Sequence, residues 1–169
     1  GLATGETLRE ALEAAWAGDP VSAFGSRIAV TRKVDLKTAE FLKGKFVEIL
    51  LAPAFDDDAL EFLKNKSKDI RLLEVGEIKK ATPCKVYKHV IGGMLVQDRD
   101  IGTWEKFECV TKAQFPKNKE DLARFTWLVT KHTKSNAIVM CYEYKPGYFQ
   151  VMGLGPGQPN RIDSNLRIS

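Results

Sequence analysis

The chain has 169 residues, of which 44% are hydrophobic and 28% are charged, and its formal net charge at pH 7 is +4. These ordinary globular values argue against disorder and fit one domain with a hydrophobic core. No apolar run approaches the roughly 18 residues of a membrane-spanning helix, and interleaved acids and bases give little support for nucleic-acid binding. The scattered cysteines Cys84, Cys109 and Cys141 suit reduced thiols in a cytoplasmic protein better than disulfides or a metal site.

The first half of the chain predicts alternating helices and strands. Thr7 and Glu10 form a capping-box pair that opens a helix reaching about residue 17, and Gly18-Asp19-Pro20 ends it. Strands are then predicted at 27–31, 46–51 and 70–75, and helices at 35–43 and 56–65. This order favours right-handed crossovers, so a largely parallel sheet and an α/β fold are expected.

The second half has a different pattern. Residues 83–98, around Gly92-Gly93, predict an irregular extended segment or a hairpin. Asn118 can cap a helix over 119–131. The residues on or near its buried side are expected to be Leu122, Phe125, Trp127, Leu128 and Val129. Further strands are predicted at 106–112, 137–142 and 148–152. Neither polar loop, at 76–84 or 113–118, has the character of a domain linker, so a single domain over 1–169 is expected.

Two segments are candidates for ligand contact. Three glycines in residues 153–157 follow a strand, and Asn160 can cap a helix that begins at Arg161, an arrangement that suits phosphate or carboxylate. The spacing is not that of a dinucleotide-binding motif, and the alternative is a tight structural turn. Ser135-Asn136 can offer a donor and an acceptor to a ligand amide, and ordinary turn chemistry is its alternative.

Two Lys-His pairs, Lys88-His89 and Lys131-His132, raise the question of a general base. His89 lies in an alternating extended stretch, and His132 lies near a helix C-terminus, where cations complement the helix dipole. No carboxylate stands at triad-like spacing beside either histidine. The structural interpretation is therefore favoured for both pairs.

Five stretches together resemble the AICAR transformylase part of the bifunctional purine-biosynthesis enzyme family. They come in the family's order and extend over the whole chain. They are Asp19-Pro-Val-Ser-Ala-Phe-Gly25, Phe46-Val-Glu-Ile-Leu-Leu-Ala-Pro53, Gly92-Gly-Met-Leu-Val-Gln-Asp-Arg-Asp100, Lys131-His-Thr-Lys-Ser-Asn-Ala-Ile-Val139 and Gly153-Leu-Gly-Pro-Gly-Gln-Pro-Asn-Arg-Ile-Asp-Ser164.

The resemblance implies a cytidine-deaminase-like layered sheet-and-helix subdomain without the deaminases' zinc. It implies a formyltransferase that moves a formyl group from 10-formyltetrahydrofolate to AICAR, giving formyl-AICAR and tetrahydrofolate, with active sites at a homodimer interface. It also allows a monovalent cation near Ser135-Asn136. The family positions that contact AICAR fall on Gly25, Glu48, Asn136 and Arg161, and those near the folate fall on Phe24 and Ile162. Asn136 is expected to have a positioning role in catalysis.

The family's catalytic Lys-His, in a K-H-x-N-P-C-G stretch, is not found among these residues, and Lys88-His89 and Lys131-His132 align to other family blocks. The chain is therefore expected to be an internal segment, inactive alone, that needs remaining segments of the enzyme in the same or a companion chain. The alternatives are a catalytically dead nucleotide-binding or regulatory remnant of the same fold and, more weakly, a zinc-free deaminase-like structural module.

Overall fold

The computed structural model describes residues 1–166, apart from the side chains of Arg161, Asn165 and Leu166. The chain groups into two compact units, one made of residues 1–78 and 116–169 and the other of residues 79–115. Within these units lie three small sheets and several helices, so the predicted α/β class is confirmed. No helix in the described part combines the length and the apolar character that crossing a membrane requires.

The first unit begins with three helices that alternate with three parallel strands. The helices are α1 Leu8–Ala17, α2 Leu36–Phe41 and α3 Asp57–Lys66, and the strands are β1 Ser26–Ala29, β2 Val47–Ala52 and β3 Arg71–Glu74. The strands form one sheet in the order β1-β2-β3. The sequence therefore predicted each of these elements, and their parallel pairing, correctly.

Local hydrogen bonds explain why two of these helices begin where they do. The Thr7 hydroxyl accepts the N–H of Glu10 at 3.1 Å at the start of α1, and the Asp35 carboxylate accepts the N–H of Thr38 at 2.8 Å at the start of α2. Interaction with Thr38, through its side chain most of all and also through this N–H, lowers the pKa of Asp35 below its ordinary value. These caps satisfy N–H groups that the first turn of a helix leaves without partners.

The hydrophobic core lies around the three-stranded sheet and its helices. Trp16 packs against this core, with its ring 6.1 Å from that of Phe41. The buried members are Leu12, Val30, Val34, Ala39, Leu42, Val47, Leu50, Ala52, Phe55, Ala59 and Leu63. Every one of them belongs to the first 63 residues, so the segment that contains α1 to α3 builds its own core.

The same unit is completed by α4 Glu120–Lys131, β6 Ile138–Lys145, β7 Tyr148–Gly155 and α5 Arg161–Leu166. β6 and β7 correspond to the strands predicted at 137–142 and 148–152, and they pair as an antiparallel hairpin. The residue at the N-cap of α4 is Lys119, because Asn118 lies inside a short 3-10 turn, Lys117–Lys119. The predicted cap at Asn118 is therefore wrong, and so is the predicted burial of Trp127 and Leu128, which are exposed.

The N-terminal segment lies against β7. Ala3 forms an antiparallel bridge with Gln150, the N–H of Val151 donates to the Leu2 carbonyl, and the N–H of Thr4 donates to the Phe149 carbonyl, both at 2.9 Å. The Lys145 ammonium reaches the carboxylates of Glu6 and Glu10, each at 3.0 Å. This pairing raises the pKa of Lys145 and lowers that of Glu10. The start of the chain is thus anchored to a hairpin far along the sequence.

The second unit contains the hairpin of β4 Lys85–Val90 and β5 Gly93–Asp98, with Gly92 at a φ of +83° in its turn. The strand predicted at 106–112 is wrong. The Cys109 thiol there lies 3.3 Å from the Thr111 hydroxyl and accepts the N–H of Phe115 at 3.3 Å, so the backbone folds back locally and forms no ladder. These contacts also lower the pKa of Cys109, the Thr111 hydroxyl most of all.

Candidate functional site

The first group of candidate residues lies at the amino ends of β1 and β2 and is called here the Phe24 cluster: Phe24, Gly25, Arg27, Phe46 and Glu48. The Phe24 and Phe46 rings lie 5.0 Å apart at 42°. The Glu48 carboxylate forms an ion pair with the Arg27 guanidinium at 3.0 Å. An aromatic pair and a carboxylate are thus presented at one edge of the parallel sheet.

The chain enters this cluster through a tight turn. The Asp19 carboxylate accepts the N–H of Ser22 at 2.9 Å. The pKa of Asp19 is lowered by the side chain of Ser22 first and by this N–H second. Gly25 follows at a φ of +70°, a conformation that side chains disfavour, and its N–H donates to the Phe46 carbonyl at 3.0 Å. A Cβ at Gly25 would lie 3.5 Å from the Phe46 ring, which is an ordinary contact distance. The backbone conformation, and not the space around it, therefore favours glycine here.

Phe24 is the most accessible side chain of the cluster, with 74% of its surface exposed. Phe46 is also exposed, although to a smaller extent. A flat ring system could stack on these two faces, because offset stacking favours rings at a similar separation. The Glu48 carboxylate, which can only accept hydrogen bonds, offers the cluster's negative charge to a hydroxyl or N–H donor.

The second group is called here the Asn136 loop: Asn136, Gln158, Pro159, Asn160 and Ser164. The Asn136 amide donates to the carbonyls of Gln158 at 3.3 Å and Pro159 at 3.2 Å, and the Gln158 N–H donates back to the Asn136 carbonyl at 3.1 Å. The two segments that the sequence analysis selected separately are therefore joined in one loop network.

The glycine-rich segment leads from β7 into α5. Gly155 ends β7, and a Cβ there would lie 2.0 Å from the Ser164 carbonyl oxygen, so only glycine allows α5 to approach the strand. The Asn160 side chain accepts the N–H of Asp163 at 2.9 Å, which confirms the predicted cap at the start of α5. Ser164, fully buried, donates from its hydroxyl to the Asn160 carbonyl at 3.2 Å. Packing and capping thus fix the direction in which α5 leaves the loop.

These contacts limit what Asn136 can do chemically. Both hydrogens of its side-chain amide have carbonyl partners in the loop. Its side-chain oxygen accepts the Ser135 hydroxyl at 3.3 Å and keeps a second lone pair. Asn136 can therefore accept a hydrogen bond from a ligand N–H, whereas donation to a ligand would require breaking the loop.

Of the six predicted contact residues, four belong to these two groups and two stand at the start of α5. Phe24, Gly25 and Glu48 share the Phe24 cluster, while Asn136 belongs to the Asn136 loop and the exposed Ile162 stands in the first turn of α5. Arg161 is the first residue of α5, and its side chain lies outside the described part of the structure. None of the hydrogen bonds and ring contacts given above joins the Phe24 cluster to the Asn136 loop.

Two members of the Phe24 cluster were not selected from the sequence. Phe46 was predicted only as the first residue of a strand, and Arg27 likewise. The signal that could have identified them was the predicted parallel pairing of β1 with β2, because it brings the amino ends of the two strands together. Once that pairing is assumed, Arg27 and Glu48 become neighbours of opposite charge.

The two histidines lie where their structural interpretation predicted. His89 stands in β4, opposite Met94 of β5. His132 is the C-cap residue of α4, and its N–H donates to the carbonyls of Leu128 and Val129. Neither histidine belongs to the Phe24 cluster or to the Asn136 loop as defined here.

Comparison with known proteins identifies the relatives of this chain. The family model described as "AICARFT/IMPCHase bienzyme" matches residues 1–168. The bifunctional purine biosynthesis protein PurH of Lactobacillus delbrueckii subsp. bulgaricus is 45% identical over 167 residues, which are 97% of this chain and 32% of that protein. The protein of the same name from Limosilactobacillus reuteri is 44% identical over 172 residues, covering 100% of this chain and 32% of the relative.

A more distant relative gives the same result. The bifunctional purine biosynthesis protein PurH of Persephonella marina is 39% identical over 165 residues, which are 97% of this chain and 31% of that protein. The chain therefore spans about a third of the length of the curated relatives that it matches.

Proposed function

The chain belongs to the AICARFT/IMPCHase bienzyme family, and on this basis we propose that it is part of a purine-biosynthesis formyltransferase. In the proposed reaction the formyl carbon of 10-formyltetrahydrofolate leaves N10 of the folate and forms a bond to the 5-amino nitrogen of AICAR. The amine loses a proton and N10 gains one, giving formyl-AICAR and tetrahydrofolate. The observation that carries the proposal is the family match over almost the whole chain.

The proposed contribution of this chain is binding and orientation. The Asn136 side-chain oxygen would accept an N–H of the AICAR carboxamide, because both of its amide hydrogens are held by the loop. The Glu48 carboxylate and the backbone at Gly25 would receive donor groups of the nucleotide, and Arg161 would pair with an anionic part of it. Holding the amine in a reactive position is itself a large catalytic contribution.

The folate would lie against the apolar side chains. Phe24 offers an exposed face beside Phe46, and Ile162 is exposed at the start of α5. A pterin ring stacked on Phe24 would gain the ordinary stabilisation of stacked aromatic systems. None of these residues is a base for the amine, so the proposal assigns proton removal to a group outside residues 1–169.

We also propose the finer features that the resemblance implies. Residues 1–169 would form one subdomain of the cytidine-deaminase-like type, and active sites would be completed in a cytoplasmic homodimer. A monovalent cation would be accommodated near the Ser135-Asn136 turn. The chain alone would then bind ligands weakly and show no turnover, since general acid–base help is typically worth about 10²–10⁴-fold.

The test is AICAR binding to the purified chain, measured by isothermal titration calorimetry. Glu48→Gln should weaken binding about tenfold or more, because a hydrogen bond to a charged acceptor is replaced by one to a neutral amide. Glu40→Gln, at an exposed position of α2 outside both groups, is the matched control and should bind as the unchanged chain does.

Equal binding by the Glu48→Gln and Glu40→Gln variants would remove Glu48 from the proposed site. Full turnover of the isolated chain with AICAR and 10-formyltetrahydrofolate would contradict the assignment of the base to another segment. Saturable AICAR binding that falls with Glu48→Gln, combined with no turnover, is the expected result.

A further inference from the structure

An open groove of about 280 Å³ runs along the edge of β1 that is not paired with β2. The apolar side chains of Leu8, Leu12 and Trp16 on α1 line it, together with β1 and residues 1–3. It therefore has the form of a channel between two extended backbones, with a helix across its base.

Among the described residues, each wall of the channel has backbone groups that no strand pairing uses. The N–H of Val30 donates to Leu51 of β2 at 2.9 Å, so by the alternation of a strand the N–H and C=O of Ala29 point away from β2. On the other wall, Leu2 and Thr4 bond to β7, so the backbone groups of Ala3 point away from β7. Unpaired strand edges of this kind readily accept another strand.

The groove is also lined by a residue whose buried polar atom lacks a hydrogen-bond partner among the described residues. The hydroxyl oxygen of Ser26, at the start of the β1 wall, is buried and has no hydrogen-bond partner among the described residues. Buried polar atoms in folded proteins nearly always have partners. An unpaired strand edge, an apolar base and an unsatisfied hydroxyl occur together at this one place.

We propose that this groove receives an extended segment of the same protein, from outside residues 1–169, which pairs with β1 as an additional strand. The curated relatives are about three times as long as the matched region, so proteins of this family contain further residues that could supply such a segment. The groove is bounded on one side by β1 and on the other by residues 1–3, so an extended segment suits it better than a folded second copy. A segment on the same polypeptide also has a high effective concentration.

The chemistry of the occupant follows from the groove. Its backbone supplies the N–H and C=O groups that pair with Ala29, as in other cases of strand addition. Its side chains alternate, and those that face Leu8, Leu12 and Trp16 are apolar. This inference does not depend on formyl transfer, because it concerns only the completion of the sheet.

Binding of peptides to the purified chain tests the proposal. The probes are overlapping synthetic peptides of about 15 residues, longer than a typical strand. They cover the part of the Lactobacillus delbrueckii relative that lies outside its matched region. Ala29→Pro removes the N–H that points into the groove and leaves the β2 ladder intact, whereas Ala29→Val keeps that N–H.

One peptide, or a few adjacent ones, should bind the unchanged chain and the Ala29→Val variant equally. The same peptides should bind the Ala29→Pro variant at least about tenfold more weakly, because a strand-pairing hydrogen bond is lost and the proline ring blocks the strand edge. Binding that Ala29→Pro leaves unchanged, or no binding by any peptide, would overturn the proposal.

Amide hydrogen exchange gives a second measurement, which decides if the proline variant does not fold. In the isolated chain the amide of Ala29 should exchange much faster than that of Ile28, which faces β2. In the full-length Lactobacillus delbrueckii protein the amide aligned with Ala29 should be as protected as its neighbour. Rapid exchange at that amide in the full-length protein would show that no strand pairs there.

Discussion

The three-stranded β1–β3 sheet and the β4–β5 hairpin both contain apolar strand residues, but the burial of these residues is very different. Val47, Leu50 and Ala52 of β2 are almost completely buried, whereas Met94, Leu95 and Val96 of β5 are each more than half exposed. Helices α1 to α3 accompany the sheet, and the described part of the hairpin's own unit contains no helix. Apolar strand residues thus become a core only when another layer covers them.

The largest effect is expected when the same substitution, leucine to alanine, is made in each of the two regions. Leu50→Ala should lower the free energy of unfolding by about 2–5 kcal/mol, because it leaves a cavity in a packed interior. Leu95→Ala should change it by less than about 0.5 kcal/mol, because the side chain is already in water. Urea denaturation followed by circular dichroism measures both. A loss at Leu95 as large as that at Leu50 would mean that the hairpin is covered in solution.

The loss of a polar interaction should also cost more stability beside the β1–β3 sheet than in the β4–β5 hairpin. Asp35→Ala removes the cap of α2 and should cost about 1 kcal/mol, while Asp35→Asn keeps a cap and should cost much less. Asp98→Asn, which breaks the exposed Lys85–Asp98 pair of the hairpin, should cost about 0.5 kcal/mol or less. Thermal denaturation of the three variants at neutral pH gives the comparison, and equal losses for Asp35→Ala and Asp98→Asn would contradict it.

The Asp35 cap also predicts a pH dependence. Because the folded pKa of Asp35 lies below its unfolded value, its charged form stabilises the folded chain above the ordinary carboxyl pKa, and that stability is lost as the pH falls. The unfolding free energy should therefore decrease more steeply below about pH 5 in the unchanged chain than in the Asp35→Asn variant. Identical slopes for the two proteins would show that Asp35 does not contribute.

The smallest effect concerns thiol reactivity in the two compact units to which the sheet and the hairpin belong. Cys141 of β6 is partly buried, and burial raises its pKa, whereas Cys109 has a lowered pKa and Cys84, next to the hairpin, is exposed. Because the thiolate is the reactive form, iodoacetamide at pH 7.5 should label Cys109 and Cys84 before Cys141. Peptide mass spectrometry at successive times gives the order, and early labelling of Cys141 would contradict it.

Local sequence signals were sufficient for most of the elements. The caps at Thr7 and Asp35 and the alternation of strands with helices predicted α1 to α3 and the parallel sheet. The strand expected at 106–112 failed because a strand needs a partner, which no local pattern supplies. The burial expected for Trp127 failed for the same kind of reason, since the position of α4 against its neighbours decides which of its faces is covered.

The candidate site shows the same limit. Asn136 and the glycine-rich segment were each selected, but their mutual hydrogen bonds depend on the β6–β7 pairing, which brings Ile138 opposite Gly155. Phe46 and Arg27 were not selected, because their importance comes from neighbours on the adjacent strand. Residue types could therefore be predicted as candidates, whereas their partners required the folded chain.

The pairing of the N-terminal segment with β7 has a consequence for the order of synthesis. The α1–β3 region has partners close by in sequence and can fold once residues 8–74 have left the ribosome. Residues 2–4 are made before α1, but they find their partners only after Phe149 and Val151 have been made. Until then residues 2–4 remain unpaired with β7, while the residues that follow them are already folded.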